Sequence, residues 1–156
     1  MIRLFEKNIQ QAKNWLLSSC IQNIEGIQDL DGTNLTGSFN CWFDLDNNSC
    51  PFAYSEITGY AITTLLFLHS LEENEDLLKR AKAAADCLIS LKKQEVFPSI
   101  FSLTHHNFKH REELTYTFDI GMILNGLVNI SKTTKEEKYL QESKKIADFF
   151  VRIQKE

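Results

Sequence analysis

The sequence predicts an all-α fold built from antiparallel helical hairpins that repeat along the chain. Apolar residues recur with the 3.6-residue period of an α-helix over most of the 156 residues. Proline, which interrupts helices, occurs only twice. An internal repeat is the third observation, because a shift of 62 residues places Tyr54 on Tyr116 and Ala85 on Ala147. Helices that recur at a constant spacing are typical of stacked hairpins.

Five helices follow from this periodicity, arranged as one single helix and two hairpins. We expect the single helix over residues 3–24, the first hairpin over 56–94 and the second hairpin over 118–154. A long loop over 25–54 precedes the first hairpin. The loop over 95–116 contains the alternating stretch "VFPSIFSLT", which predicts a short β-strand or β-hairpin.

The two helices of each hairpin differ in polarity. Residues 57–68 and 120–131 contain no Asp, Glu, Lys or Arg, and a helix that is apolar on all sides is surrounded by other elements. The second helix of each hairpin has a lysine-rich face that must meet water. We therefore predict a buried inner helix and a half-exposed outer helix in each hairpin. Such hairpins stack into an open solenoid or a closed α/α toroid, here as one domain over 1–156.

Composition and charge exclude several classes of function. The net charge is −4, so no basic surface for nucleic acid is predicted. The longest apolar stretch, 57–68, is shorter than the ~20 residues that span a bilayer. Charged residues also interrupt the N-terminal segment, where a signal peptide would be apolar. We therefore expect a cytoplasmic protein without a membrane partner.

The four cysteines form no closely spaced pair, so we predict that they are reduced thiols. A zinc site made by Cys41, Cys50 and a histidine is the alternative, but the spacing matches no strong metal-binding pattern. The sequence therefore predicts neither a metal nor a cofactor.

Three residues inside predicted helices have a structural and a functional interpretation. Gly59 and Gly121 occupy positions where glycine costs about 1 kcal/mol relative to alanine. Their recurrence favours close helix packing over the approach of a ligand. Trp15 lies on the first helix, and we predict that it belongs to the core.

Three stretches carry a resemblance to a known family: "TGSFNCW" (36–42), "SEITGYAITTLL" (55–66) and "FDIGMILNGLVNISKTTKEEKYLQESKKIADFFVRIQ" (118–154). They resemble the six-hairpin glycosidase-like superfamily of (α/α)6 toroids. The resemblance implies a carbohydrate-active protein, which includes glycosidases, polysaccharide lyases and sugar epimerases. Squalene-cyclase-like toroids are a more distant resemblance, because their acidic cyclisation motif and repeated Gln-Trp signature are not evident.

The number of hairpins departs from that family. A closed toroid needs six hairpins, whereas this sequence contains two and a single outer helix. We expect the chain to be a portion of a larger toroid, a truncated product, or a part that associates with something else. Inner helices without neighbours expose apolar flanks, which usually mark association. The expected partners are therefore a carbohydrate, the remainder of a toroid, or further copies of the chain in a homo-oligomer.

The resemblance also implies the position of a site, because toroids of this superfamily have their cleft where the inner helices begin. At that end Asp119 and Glu56 are the candidate catalytic carboxyls, with Asp119 as base or stabiliser and Glu56 as its partner. The candidate sugar-binding residues are the aromatic and histidine side chains expected at this end: Trp42, Tyr54, Tyr60, Tyr116, His105 and His106.

Two interpretations of the carboxyls compete. Glycoside hydrolysis with inversion needs two carboxyls about 6.5–9.5 Å apart, and neighbouring helices pack about 8–10 Å apart. Helix capping is the structural interpretation. Ser55 and Thr117 are the predicted N-caps, and an acid in the first turn stabilises a helix by about 0.3–1 kcal/mol. Whether the protein is an enzyme therefore stays open. A non-catalytic α-hairpin module for protein association is the alternative, and an isoprenoid-type toroid is a third hypothesis.

Overall fold

The computed structural model describes residues 2–93, 97–104 and 114–154, with the side chains from Glu6 onwards. These residues form five helices and two short strands, so the described part of the chain is largely helical, as predicted. In chain order the elements are α1 (Ile2–Ser18), β1 (Phe52–Tyr54), α2 (Ser55–Glu72), α3 (Glu75–Leu91), β2 (Ile100–Ser102), α4 (Thr117–Thr134) and α5 (Glu137–Ile153).

The bounds of α2 and α3 recur 62 residues later as the bounds of α4 and α5. The turns between the helices also match. Glu73 and Lys135 both adopt the left-handed conformation, with φ of 50° and 60°. Their N–H groups donate to the carbonyls of His69 and Ser131, which ends each helix in the same way. Asn74 then caps α3 by accepting a hydrogen bond from the Asp76 N–H.

The inner helices α2 and α4 run parallel and lie side by side. A Cβ atom on Gly59 would lie 2.7 Å from the Met122 carbonyl oxygen, so the two backbones meet there. One turn further on, the Thr63 hydroxyl accepts from the Asn129 amide at 3.2 Å. Gly126 completes the close approach, because its Cβ would lie 2.8 Å from the Gly59 carbonyl oxygen. Both helices therefore begin at the same end of the molecule.

The packing prediction is confirmed at Gly59 and wrong at Gly121. A Cβ atom on Gly121 would meet nothing within 4 Å. The second glycine of the contact with α2 is Gly126 and not Gly121.

The outer helices α3 and α5 are joined by ion pairs. Lys82 bonds Glu136 at 2.6 Å, and Lys138 bonds Asp86 at 2.6 Å. Between the outer and inner helices lies the main core, whose fully buried members are mostly branched aliphatic residues together with Tyr139. The inner helices are enclosed on this side but not on all sides as predicted, since Phe67 of α2 is 60% exposed and Phe118 of α4 is 59% exposed.

The strand predicted in the 95–116 loop is present as β2, but its partner is different. β2 pairs antiparallel with β1 from the earlier loop, with Ala53 opposite Phe101. Ala53 and Phe101 are buried together in a small cluster with Leu35 and Leu91. This shared burial explains why β2 pairs with a strand that is distant in sequence. The β-hairpin expected within one loop is therefore wrong for the described strand. Since β1 leads directly into α2, the sheet ties both loops to the end where the inner helices begin.

Two predictions about the first helix are wrong. The helix ends at Ser18 and not at residue 24. The Asn23 N–H donates to the Ser38 carbonyl at 2.9 Å, so this residue pairs with the loop and does not continue the helix. Trp15 is 54% exposed, since Leu16 and Leu17 are the residues of α1 that pack on the core. None of the helices within the described ranges is long and apolar enough to cross a membrane.

Candidate functional site

The start of α2 and the start of α4 bring four predicted residues to one end of the molecule. Tyr54 is the last residue of β1 and precedes α2, and Glu56 is the second residue of that helix. Tyr116 precedes α4, and Asp119 is its third residue. Because the two inner helices run parallel, the residues at their starts lie at the same end of the molecule.

The N-caps lie one residue earlier than predicted. Tyr54 and Tyr116 occupy the cap positions, with φ of −135° and −100°, and neither makes a side-chain cap bond. Ser55 and Thr117 are the first helical residues, so their predicted capping role is wrong. The Ser55 hydroxyl instead donates to the Pro98 carbonyl at 2.6 Å, because the chain after α3 passes beside it. The chain is therefore extended at the residue before each helix, and the side chain of that residue does not cap the helix.

The Glu56 carboxyl interacts with its surroundings in a way that capping alone does not explain. Burial raises its pKa, the charge of Asp119 raises it further, and a hydrogen bond from Tyr54 partly offsets both effects. Burial also raises the pKa of Tyr54 to about 12, with further contributions from the charges of Asp119 and Glu56. Glu56, Asp119 and Tyr54 therefore face a common space.

A one-residue offset explains how the two carboxyls come to face each other. A shift of 62 residues places Glu56 on Phe118, and Asp119 is the next residue. Equivalent positions on parallel neighbouring helices point in the same direction. One residue along a helix turns the side chain by about 100°, since a turn holds 3.6 residues. The offset therefore lets the two acids, one from each helix, approach the same space.

Asp119 is the most deeply buried member of the group. Its side chain is 3% exposed, and its Oδ2 atom has no hydrogen-bond partner among the described residues. Neither Glu56 nor Asp119 takes part in an ion pair within the described ranges. A buried carboxylate oxygen without a donor is costly, so this atom marks a position that a ligand hydroxyl can satisfy.

An aromatic row connects the predicted Trp42 to these carboxyls. The Trp42 ring meets the edge of Phe52 at a centroid distance of 4.9 Å, and Phe52 meets Tyr54 at 6.2 Å. Trp42 is 50% exposed, so part of its ring is open to a ligand. The sequence did not indicate Phe52, because its position depends on the pairing of β1 with β2 and no local pattern shows that pairing.

The remaining predicted site residues differ in how far the structure describes them and where it places them. Tyr116 is 41% exposed and lies close enough to Tyr54 to affect its ionisation. Tyr60 is also exposed and lies one helical turn beyond Glu56, on the same face of α2. His105 and His106 lie outside the described residues. No group of three His, Cys, Asp or Glu side chains that could hold a metal ion occurs in the described part of the chain.

The cysteines predicted to be reduced are free thiols in the structure. Cys20 and Cys50 lie near each other, with 3.6 Å between their Sγ atoms. Burial raises the pKa of the Cys41 thiol to about 11 and that of Cys50 to about 12, so neither is an activated nucleophile.

Comparison with known proteins found no match to any protein-family model, to any curated protein or to any solved structure.

Proposed function

We propose that the protein binds a poly- or oligosaccharide at the end of the molecule where α2 and α4 begin, as a carbohydrate-active protein of the α/α-toroid kind. The observation that carries this proposal is the convergence of Glu56, Asp119 and Tyr54 on one space, with the buried Asp119 Oδ2 lacking a partner. Three oxygen-bearing side chains, one from each inner helix and one from the strand residue before α2, are more than a helix start requires.

The chemistry of this end suits a sugar. Carboxylates accept hydrogen bonds from hydroxyl groups, and exposed aromatic rings stack on the apolar faces of sugar rings. Trp42, at the end of the aromatic row, and Tyr116, near Tyr54, are the half-exposed rings at this end of the molecule. A few convergent polar groups beside aromatic surface are typical of small-molecule sites.

Glycoside hydrolysis is the reaction that this pair of carboxyls suits best. A general acid needs a raised pKa, and Glu56 has one because of burial and of the neighbouring Asp119 charge. In this role protonated Glu56 donates its proton to the leaving glycosidic oxygen. Asp119 acts as the base, which accepts a proton from the attacking water, or stabilises the positive charge on the sugar ring. Lyase and epimerase reactions also use an acid and a base, so they are the related alternatives.

The hairpin arrangement supports the toroid part of the proposal. Equal helix bounds 62 residues apart, matching turns, and parallel inner helices flanked by outer helices are the features of a repeated hairpin layer. We propose that the two hairpins are repeats and that further hairpins or copies complete the ring.

An oligosaccharide array tests the proposal when it is probed with the wild-type protein and with Asp119→Asn and Glu56→Gln. We expect the wild type to bind a defined set of glycans and both variants to lose most of that binding. Glu75→Gln is the matched control, because Glu75 is also a first-turn acid but lies exposed on α3. Release of reducing sugar from the bound glycans then separates hydrolysis from binding alone. Equal binding by all four proteins would contradict the site.

A non-catalytic module for protein association is the second candidate. It is favoured by large exposed apolar side chains on the helices, such as Phe67 at 60%, Leu71 at 61% and Val151 at 52%. The same array decides between the candidates, since the module binds no glycan.

A further inference from the structure

An exposed stripe runs along one face of α5 and has the composition of a buried contact. Its members recur every three or four residues, apart from one adjacent pair: Leu140, Lys144, Ala147 with Asp148, and Val151. All five are exposed, including Leu140 at 38% and Val151 at 52%. These residues are called the α5 stripe below.

The equivalent stripe on α3 is contacted and partly covered within the chain. A shift of 62 residues relates the α5 stripe to Leu78, Lys82, Ala85, Asp86 and Ile89. Ala85 has no exposed surface, and Leu78 and Ile89 pack against the core. Lys82 forms an ion pair with Glu136, which directly precedes α5, and Asp86 forms one with Lys138 of α5. The lysine, the alanine and the aspartate are identical in the two stripes, yet within the described residues Lys144 and Asp148 have no ion-pair partner.

The inner helix of the second hairpin is also open at a position whose equivalent in the first hairpin is covered. Gly59 of α2 touches the backbone of α4, whereas its equivalent Gly121 would meet nothing within 4 Å even with a Cβ atom. The outer and the inner helix of the second hairpin thus both leave uncovered the positions that the first hairpin covers.

The charges of the α5 stripe point to a second copy of this chain as the molecule that covers it. We propose that two copies pack their α5 helices antiparallel about a two-fold axis near Ala147. An antiparallel arrangement brings Lys144 opposite the partner's Asp148, and it brings Leu140 opposite the partner's Val151. The order apolar, basic, small, acidic, apolar is self-complementary in this direction, as a two-fold interface requires.

The alternative arrangement of the same two helices is unfavourable. In a parallel packing each lysine would meet a lysine and each aspartate an aspartate, and like charges at an interface disfavour association. Ala147 is small enough to let the helices approach to the ~8–10 Å at which helices pack. The dimer is independent of the Glu56 and Asp119 site, because no residue of the α5 stripe belongs to it, but on this face the second copy takes the place of the further hairpin that a ring would add.

Sedimentation velocity over a concentration series tests this interface. We expect the wild type to dimerise. Lys144→Glu should weaken the dimer about tenfold or more, since each reversal places two like-charged pairs across the axis. The double variant Lys144→Glu/Asp148→Lys restores opposite charges and should restore the wild-type affinity. Lys79→Glu, an exposed lysine on α3 without an ion pair in the described structure, is the control and should leave dimerisation unchanged.

Three results would overturn the proposal. The first is a wild-type protein that stays monomeric at every concentration, and the second is a dimer that Lys144→Glu does not weaken. The third is a double variant that fails to regain affinity, which would indicate a different protein or a different surface as the partner. Circular dichroism of each variant distinguishes loss of association from loss of fold, and Ala147→Lys provides a second disruption because it places two positive charges near the axis.

Discussion

The Glu56 carboxyl lies within electrostatic range of the Asp119 carboxyl at the shared start of α2 and α4. The two acids come from different helices, and the tyrosine that precedes α2 interacts with both of them. This relationship separates two explanations for an acid at a helix start. A capping acid gains stability from its charge, whereas an acid that faces a second acid in a partly buried space loses stability when it ionises.

The first prediction concerns Glu56→Gln and its dependence on pH. The pKa of Glu56 is raised in the folded state, so Glu56 contributes most to stability when it is protonated, and this contribution is lost as the pH rises through the folded pKa. We therefore expect Glu56→Gln to increase the free energy of unfolding at neutral pH and to have little effect below the ordinary pKa of a glutamate. Urea denaturation at several pH values measures the difference. A variant that is less stable at neutral pH would favour capping.

The second prediction uses the two equivalent glycines of the inner helices. Gly59→Ala forces its new methyl group against the Met122 carbonyl and should destabilise the protein by about 1–3 kcal/mol. Gly121→Ala meets open space and should stabilise the protein by about 0.5–1 kcal/mol, because alanine is the better helix former. Thermal unfolding of the two variants measures both values. Equal effects of the two changes would contradict the parallel contact of α2 with α4.

The third prediction concerns the ion pair between Lys92, which directly follows α3, and Glu142 of α5. Glu142 is 6% exposed; burial opposes its ionisation, but the hydrogen bonds from Lys92 and Lys145 outweigh burial and lower its pKa. Lys92→Met removes one donor from a buried carboxylate and should cost about 1–3 kcal/mol. Lys145 remains as a partner at 3.1 Å, which limits the loss.

The pH dependence of that ion pair provides its own check. Because the pKa of Glu142 is lowered by folding, its contribution to stability is present above the ordinary glutamate pKa and is lost as the pH falls through the folded pKa. The cost of Lys92→Met, measured by urea denaturation, should therefore shrink in acid. A cost that is the same at neutral and acidic pH would show that Lys92 acts by packing alone.

The helices could be predicted from the sequence because their signals are local. The apolar runs of α2 and α4 and the charged faces of α3 and α5 repeat every turn, so helix type and order follow from periodicity. The family resemblance implied that Glu56 and Asp119 share one end of the molecule, and the structure brings them together. Their role as a binding or catalytic site stays a prediction.

The rest of the fold depends on contacts between distant residues. β1 pairs with β2 across a whole hairpin, and nothing near Phe52 indicates that partner. The Ser55 hydroxyl bonds the Pro98 carbonyl instead of capping α2, which requires knowledge of the later loop. Trp15 was assigned to the core from its residue type, but α1 turns its neighbours Leu16 and Leu17 inward. Tertiary contacts decide each of these cases.

A crystal structure of the protein with the glycan that the array selects tests the central claim most directly. The carbohydrate proposal predicts a sugar ring between Glu56 and Asp119, with a hydroxyl donating to Asp119 Oδ2 and a neighbouring ring against Trp42. A sugar bound elsewhere on the molecule, with the space between the two carboxyls left to water, would contradict it.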